Sequence, residues 1–206
     1  QDVWRPMMFT RAVVLARTNH REVDERISLL TEERGKQIVI AKGSKKSTSK
    51  NAPHLEPGSV ISLGIAPGKQ QGYATSVQPE MAFAGYTEAQ LLMLKTGMKL
   101  LHSLLLENDT HDTVLYKTVV AWIIRIEAVL EEESIWWIDV LMVFLLAHMG
   151  YPLKDDSLIT IYTQGQIGTD ISLEDREAMH AYLHNHAQAC TEKAIFDWKQ
   201  INNWLR

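Results

Sequence analysis

The chain has a single cysteine, Cys190, among its 206 residues. That excludes an internal disulfide, and it excludes any zinc site needing two or more thiolates. Long apolar runs are also missing. The most apolar stretch, 135–149 (IWWIDVLMVFLLAHM), carries Asp139 and His148 and falls short of the roughly 20 residues of a membrane span. It predicts a buried helix. The N-terminal QDVWRPMMFTR lacks the continuous apolar segment of a secretory signal. With no cysteine pair either, a reducing cytoplasm is the expected location. No GxxxxGK[ST], GxGxxG or GxSxG occurs, and Gly43-Ser44-Lys45-Lys46 lacks the first glycine of a phosphate-binding loop. ATP hydrolysis and serine-nucleophile chemistry are therefore not expected, and the chain reads as a non-enzyme. Internal repeats and low-complexity tracts are likewise absent.

What is present is ordinary in bulk and uneven in distribution. Apolar residues at 46% and charged residues at 22% exclude global disorder. The net charge of −4 hides a division: residues 1–80 hold 12 Lys+Arg against 8 Asp+Glu, and residues 81–206 hold 9 against 17. No acidic residue stands between Glu33 and Glu56, a window that carries Arg34, Lys36, Lys42, Lys45, Lys46 and Lys50. A solvated loop accounts for such a cluster in many proteins. The sharper reading is a footprint for a polyanion backbone. Lysine is a point charge on a flexible stem, which suits phosphates better than base edges. Only Trp4, Phe9 and Tyr73 are aromatic in the first 80 residues, so base stacking is expected to contribute little.

Two textures follow the same division. Residues 10–78 read as short strands at Arg11–Arg17, Glu25–Thr31, Lys36–Lys42, Ser59–Ala66 and Gln71–Val77, separated by Gly35, Gly43, Pro53–Gly58 and Pro67-Gly68. Ile61, Leu63 and Ile65 alternate with the period of a half-buried strand. Five short strands suggest a small closed barrel, of the OB-fold or the SH3-like kind. From Tyr86 onward the pattern is helical. Thr87 with Gln90 forms a capping-box signature for a helix reaching about Leu106. Leu115, Val119, Trp122, Ile123, Ile126 and Leu130 form a core-facing stripe of a second helix, and Ser134 is placed to cap a third, which Gly150 and Pro152 stop. Ser172 with Asp175 opens a fourth, and 192–205 suggests a last. The expected architecture is α+β: an OB-like five-stranded barrel over 1–80, then a helical domain over 81–206.

Taken in order, the run AVVLARTNHREVDERISLLTEERGKQIVIAKGSKKSTSKNAPHLEPGSV holds a strand, Glu22 and Asp24, Thr31, and a Gly35-Lys36 turn. Ala41-Lys42-Gly43, Lys45-Lys46, Ser49-Lys50 and Leu55-x-Pro57 follow. This succession resembles the N-terminal domain of the RecO family of recombination mediators. In the second half, LLAHMGYP at 145–152 resembles the family's apolar helix ending in Gly-Tyr-x-Pro, without the spacer before the proline. The segment LKDDSLITIYTQGQIGTD departs from the family's zinc hairpin by having no cysteine, so zinc is not expected. Gly58 replaces an aromatic, and the C-terminal part reads short. The resemblance implies single-stranded DNA binding and strand annealing in recombinational repair, with RecR, in support of loading the RecA recombinase. It also implies docking of the acidic tail of single-stranded DNA-binding protein. Lys95 and Lys99, four apart on one helix face, are the candidates for that tail.

Two rival readings have other residues behind them. A non-enzymatic helical interaction module with an incidental basic barrel would leave the lysines idle. A small metal-dependent hydrolase would use Glu177, His180 and His184, at i, i+3 and i+7 of EAMHAYLHNHAQAC, with His186 and Cys190 as a further i, i+4 pair. Neither HExxH nor a second Glu-x-x-His helix accompanies them, so no metal site is expected. Asp139 is expected to be a structural acid.

Overall fold

The computed structural model describes residues 7–81, 85–107, 113–154, 159, 162 and 171–191. Five strands, β1 (Met8–Asn19), β2 (Glu25–Thr31), β3 (Gly35–Ala41), β4 (Val60–Ala66) and β5 (Gly72–Pro79), close into a barrel in the order β1-β2-β3-β5-β4. All neighbouring pairs are antiparallel except β3 with β5, where Val39 faces Gly72 and Ile40 faces Tyr73. This is the five-stranded OB-type barrel, and it is followed by helices. Four of the five expected strands lie within two residues of their observed bounds, while β1 runs longer at both ends. Alternation explains the agreement: Ala12, Val14, Ile27, Leu29, Val39, Ile61, Leu63 and Val77 point inward as one core, and Leu55 joins them from the β3–β4 connection. Each such side chain contributes about 1.5–3 kcal/mol when fully buried.

The turn between β2 and β3 shows why its residues are there. Gly35 sits at φ 60°, a left-handed conformation that costs glycine nothing. The Thr31 hydroxyl donates to the Gly35 carbonyl at 2.9 Å and accepts from the Arg34 amide at 3.1 Å.

Among the described residues four long helices follow: α1 (Glu88–Leu104), α2 (Thr113–Arg125), α3 (Ser134–His148) and α4 (Leu173–Thr191). The molecule divides into two compact units, Gln1–Gly85 with Leu105–Ala121, and Tyr86–Leu104 with Trp122–Arg206. The segment 105–121 thus groups with the barrel although α1 precedes it. In that first unit Tyr116 is buried, and burial pushes its phenol up to about 12. In the second unit α3 packs against both α1 and α4. Among the described residues no helix is long and apolar enough to cross a membrane.

The helix-start expectations divide. Thr87 and Gln90 form the reciprocal capping box, at 3.0 and 3.2 Å, and Ser172 accepts from the Asp175 amide at 3.1 Å. Ser134 does not cap. It is the first residue inside α3, buried, and its preceding residue Glu133 makes no side-chain cap. Leu130 leaves the core stripe: α2 ends at Arg125, a short 3-10 turn follows, and Val129 is buried while Leu130 is 57% exposed. The helix expected over 192–205 and most of the segment replacing the zinc hairpin lie outside the described residues.

Candidate nucleic-acid interface

The connection from β3 to β4 spans residues 42–59 and carries the lysine cluster on its first part. Its root is fastened to the β1–β2 hairpin. Gly43, at φ 64°, donates its amide to Asp24 Oδ1 at 2.8 Å, and the Lys45 amide donates to the Val23 carbonyl at 3.2 Å. Inside the root, the Ser44 hydroxyl donates to the Ala41 carbonyl at 3.1 Å and is buried. The Asp24 of the Glu-x-Asp segment and the glycine of Ala-Lys-Gly therefore act as parts of one fastening.

Lys42, Lys45, Lys46 and Lys50 are all exposed, and so is Arg34 at the β2–β3 turn. Lys45 Nζ donates to the Arg21 carbonyl at 2.9 Å, and Lys42 Nζ lies 4.1 Å from the centroid of the Tyr73 ring. None of the four lysines forms an ion pair with a carboxylate among the described residues. The acids nearby are engaged with arginine instead: Arg17 pairs with Glu25 at 2.7 Å and with Glu56, and Arg11 pairs with Glu32 at 2.6 Å. Burial alone would raise the Glu25 carboxyl, but the hydrogen bond and charge of Arg17 hold it below its ordinary value. The loop lysines thus stay outside carboxylate ion pairs while Glu25, Glu32 and Glu56 are held by arginine.

Lys36 is a correction. It was expected beside the other cations, but it is buried and its ammonium donates to the Leu105 carbonyl at 2.9 Å. It sits in β3, and its backbone also forms an isolated parallel β-bridge with Glu107. It serves packing and is not part of the exposed surface. Lys95 and Lys99 are both exposed on α1, with the half-exposed Leu91 one turn before them.

The histidine cluster takes another form than a metal centre. His180 Nδ1 lies 2.9 Å from both oxygens of Asp139, which is 2% exposed. Burial raises the Asp139 carboxyl against the pull of His180. Burial would lower His180, but its bond and attraction to Asp139 outweigh that and raise it. Tyr162 stacks on Trp136 at 4.4 Å, and its phenol is pushed up by burial and by the Asp139 charge. His186 Nε2 stands 3.7 Å from Cys190 Sγ and 3.2 Å from the Tyr151 carbonyl. Glu177 is exposed. Among the described residues no three His, Cys, Asp or Glu side chains converge as metal ligands.

Comparison with known proteins addresses the first half of the chain. Residues 7–83 match the family described as "Recombination protein O N terminal". A curated relative, the DNA repair protein RecO of Heliobacterium modesticaldum, is 36% identical over 74 residues. That alignment covers 36% of this chain and 27% of the relative.

Proposed function

We propose, from the match of residues 7–83 to the RecO N-terminal family and the likeness to a DNA repair protein RecO, that the chain binds single-stranded DNA and anneals complementary strands. The observation that carries this reading is the exposed, carboxylate-free group Lys42, Lys45, Lys46 and Lys50 on a fastened loop of a closed barrel. Phosphates displace their condensed counterions onto such a group, and the release of those ions drives binding without regard to sequence. Because the lysines hold backbones, base edges stay free to pair with a second strand. The protein acts by binding, not catalysis. Its partners are single-stranded DNA, a RecR-type protein, and the acidic tail of single-stranded DNA-binding protein. Leu91, Lys95 and Lys99, spaced by single helical turns, support placing that tail on α1: they combine an exposed apolar side chain with two cations.

The test is fluorescence anisotropy of a labelled oligo-dT with the full chain at several salt concentrations. Four phosphate contacts give a log–log slope of roughly −3. Changing Lys42, Lys45, Lys46 and Lys50 together to Ala flattens that slope and weakens binding, whereas changing Lys36 to Ala leaves the slope in place. Unchanged affinity in the fourfold variant removes the lysine loop as the interface and returns the chain to the reading of a helical interaction module.

A further inference from the structure

The barrel carries an apolar feature that the lysine loop does not explain. Phe9, the second residue of β1, is 70% exposed, an unusual cost for a ring on a strand paired with its neighbour. Its register sets the ring across Gly64 of β4, the residue that faces it. A Cβ at Gly64 would stand 3.2 Å from the ring's Cε1 and 2.5 Å from Thr75 Oγ1, so glycine is what lets the ring lie flat there. A bulge places Thr75 and Ser76 of β5 together opposite Gly64, and the Thr75 hydroxyl donates to the Gly64 carbonyl at 3.0 Å. Phe9 lines a groove of about 440 Å³ whose other walls include Ser62, Ser76, Gln78 and the Arg11–Glu32 pair.

We infer that Phe9 on its Gly64 bed is a stacking platform for one unpaired nucleobase of the bound strand. The groove's chemistry fits that occupant. It offers a π face, hydroxyls and an amide at the edges, and a charge pair that is already neutralised by its own bidentate contact at 2.6 and 2.8 Å. A base has a face to stack and edges to hydrogen-bond, and a phosphate has neither. The platform is also continuous with the lysine loop. Ala74 packs toward the core, so Tyr73 faces outward, and Lys42 lies over its ring. Tyr73 pairs with Ala66, two residues along β4 from Gly64. Strand spacing then sets Phe9 and Tyr73 about 12 Å apart on the same outer face. A strand whose backbone is held at Lys42 reaches Phe9 by crossing β5 and β4.

This inference rests on the single-strand reading above, and the experiment separates the two. The full chain is titrated with oligo-dT of about 16 nucleotides, the span of one OB-type site, and with an abasic oligomer of equal length. Phe9→Ala weakens dT binding about tenfold, within the range of one aromatic–base stack, while its abasic affinity and its salt slope match those of the unaltered chain. Phe9→Trp restores dT binding, and its indole emission is quenched by dT and not by the abasic oligomer. Equal affinity of Phe9→Ala for dT overturns the platform, as does an equal loss for both oligomers. Failure of the fourfold lysine variant to lose abasic binding overturns the phosphate reading alone.

Discussion

At the residue scale, ionisable side chains that look alike in sequence take opposite roles. Lys36 and Lys42 are six positions apart in the same basic window, yet one is buried on a carbonyl 69 residues away and the other is exposed over an aromatic ring. Nothing local in the sequence announces the Leu105 carbonyl, so Lys36 could only be grouped with its neighbours. Asp24 shows the converse. Its charge opposes DNA, but its contact with Gly43 fastens the lysine loop. Asp24→Ala removes a negative charge and would strengthen binding if charge alone mattered. The expected result is about fivefold weaker oligo-dT affinity, the worth of one lost hydrogen bond, with Asp24→Asn restoring it. Anisotropy at fixed salt reads both. The Asp139–His180 pair predicts a pH dependence. His180 titrates above its ordinary 6.5 in the folded chain, so its contribution is complete below 6.5 and is lost as pH rises through the folded value. Asp139, raised by burial, has the same sign, because ionising it becomes harder in the fold. Urea midpoints should therefore fall from slightly acid to alkaline pH. His180→Ala leaves Asp139 buried without its ion-pair partner, costs about 3–5 kcal/mol near neutrality, and removes the histidine's share of the pH dependence while keeping that of Asp139.

At the element scale, legibility followed periodicity. The strands could be read because Ile61, Leu63 and Ile65 alternate, and the α1 start because Thr87 and Gln90 stand three apart before an apolar run. Where periodicity vanishes, reading failed. Helix α3 is buried nearly all round, so no apolar stripe marks its start, and Ser134 looked like a cap when it is an interior residue. Phe9 was legible as an aromatic but not as the platform proposed for it, because the glycine opposite it lies 55 positions on in β4. Packing within the helical unit is tight at one such crossing. Trp122 and Trp137 exchange indole hydrogen bonds to each other's carbonyls at 2.7 and 3.3 Å, with rings 7° from parallel. Gly97 of α1 lies against that pair: a Cβ there would meet the Trp122 ring at 2.5 Å and Leu141 at 3.1 Å. Alanine normally stabilises a helix interior by up to about 1 kcal/mol over glycine. Gly97→Ala is expected instead to destabilise by about 1–3 kcal/mol through overpacking, with a matching drop in thermal midpoint.

At the scale of the whole molecule, the division of charge sets how strongly the proposed DNA binding depends on its surroundings. The excess of cations in residues 1–80 is outweighed by the larger excess of acids in residues 81–206, so the chain as a whole repels a polyanion while one loop attracts it. Attraction confined to a short loop is screened over a Debye length of about 10 Å at 0.1 M salt. Annealing, which needs two backbones held at once, should then fail before binding does. With two complementary oligonucleotides, the rate of duplex formation in excess protein is expected to rise well above the unassisted rate at low salt. It should fall more steeply than single-strand affinity as salt increases, because two sets of phosphate contacts are lost together: raising salt from 50 to 200 mM costs about 60-fold for one strand at a slope near −3, and more than that for annealing. Stopped-flow annealing beside anisotropy measures the two slopes. Equal slopes would mean that the protein carries one strand at a time and that annealing is not what the lysine loop accomplishes.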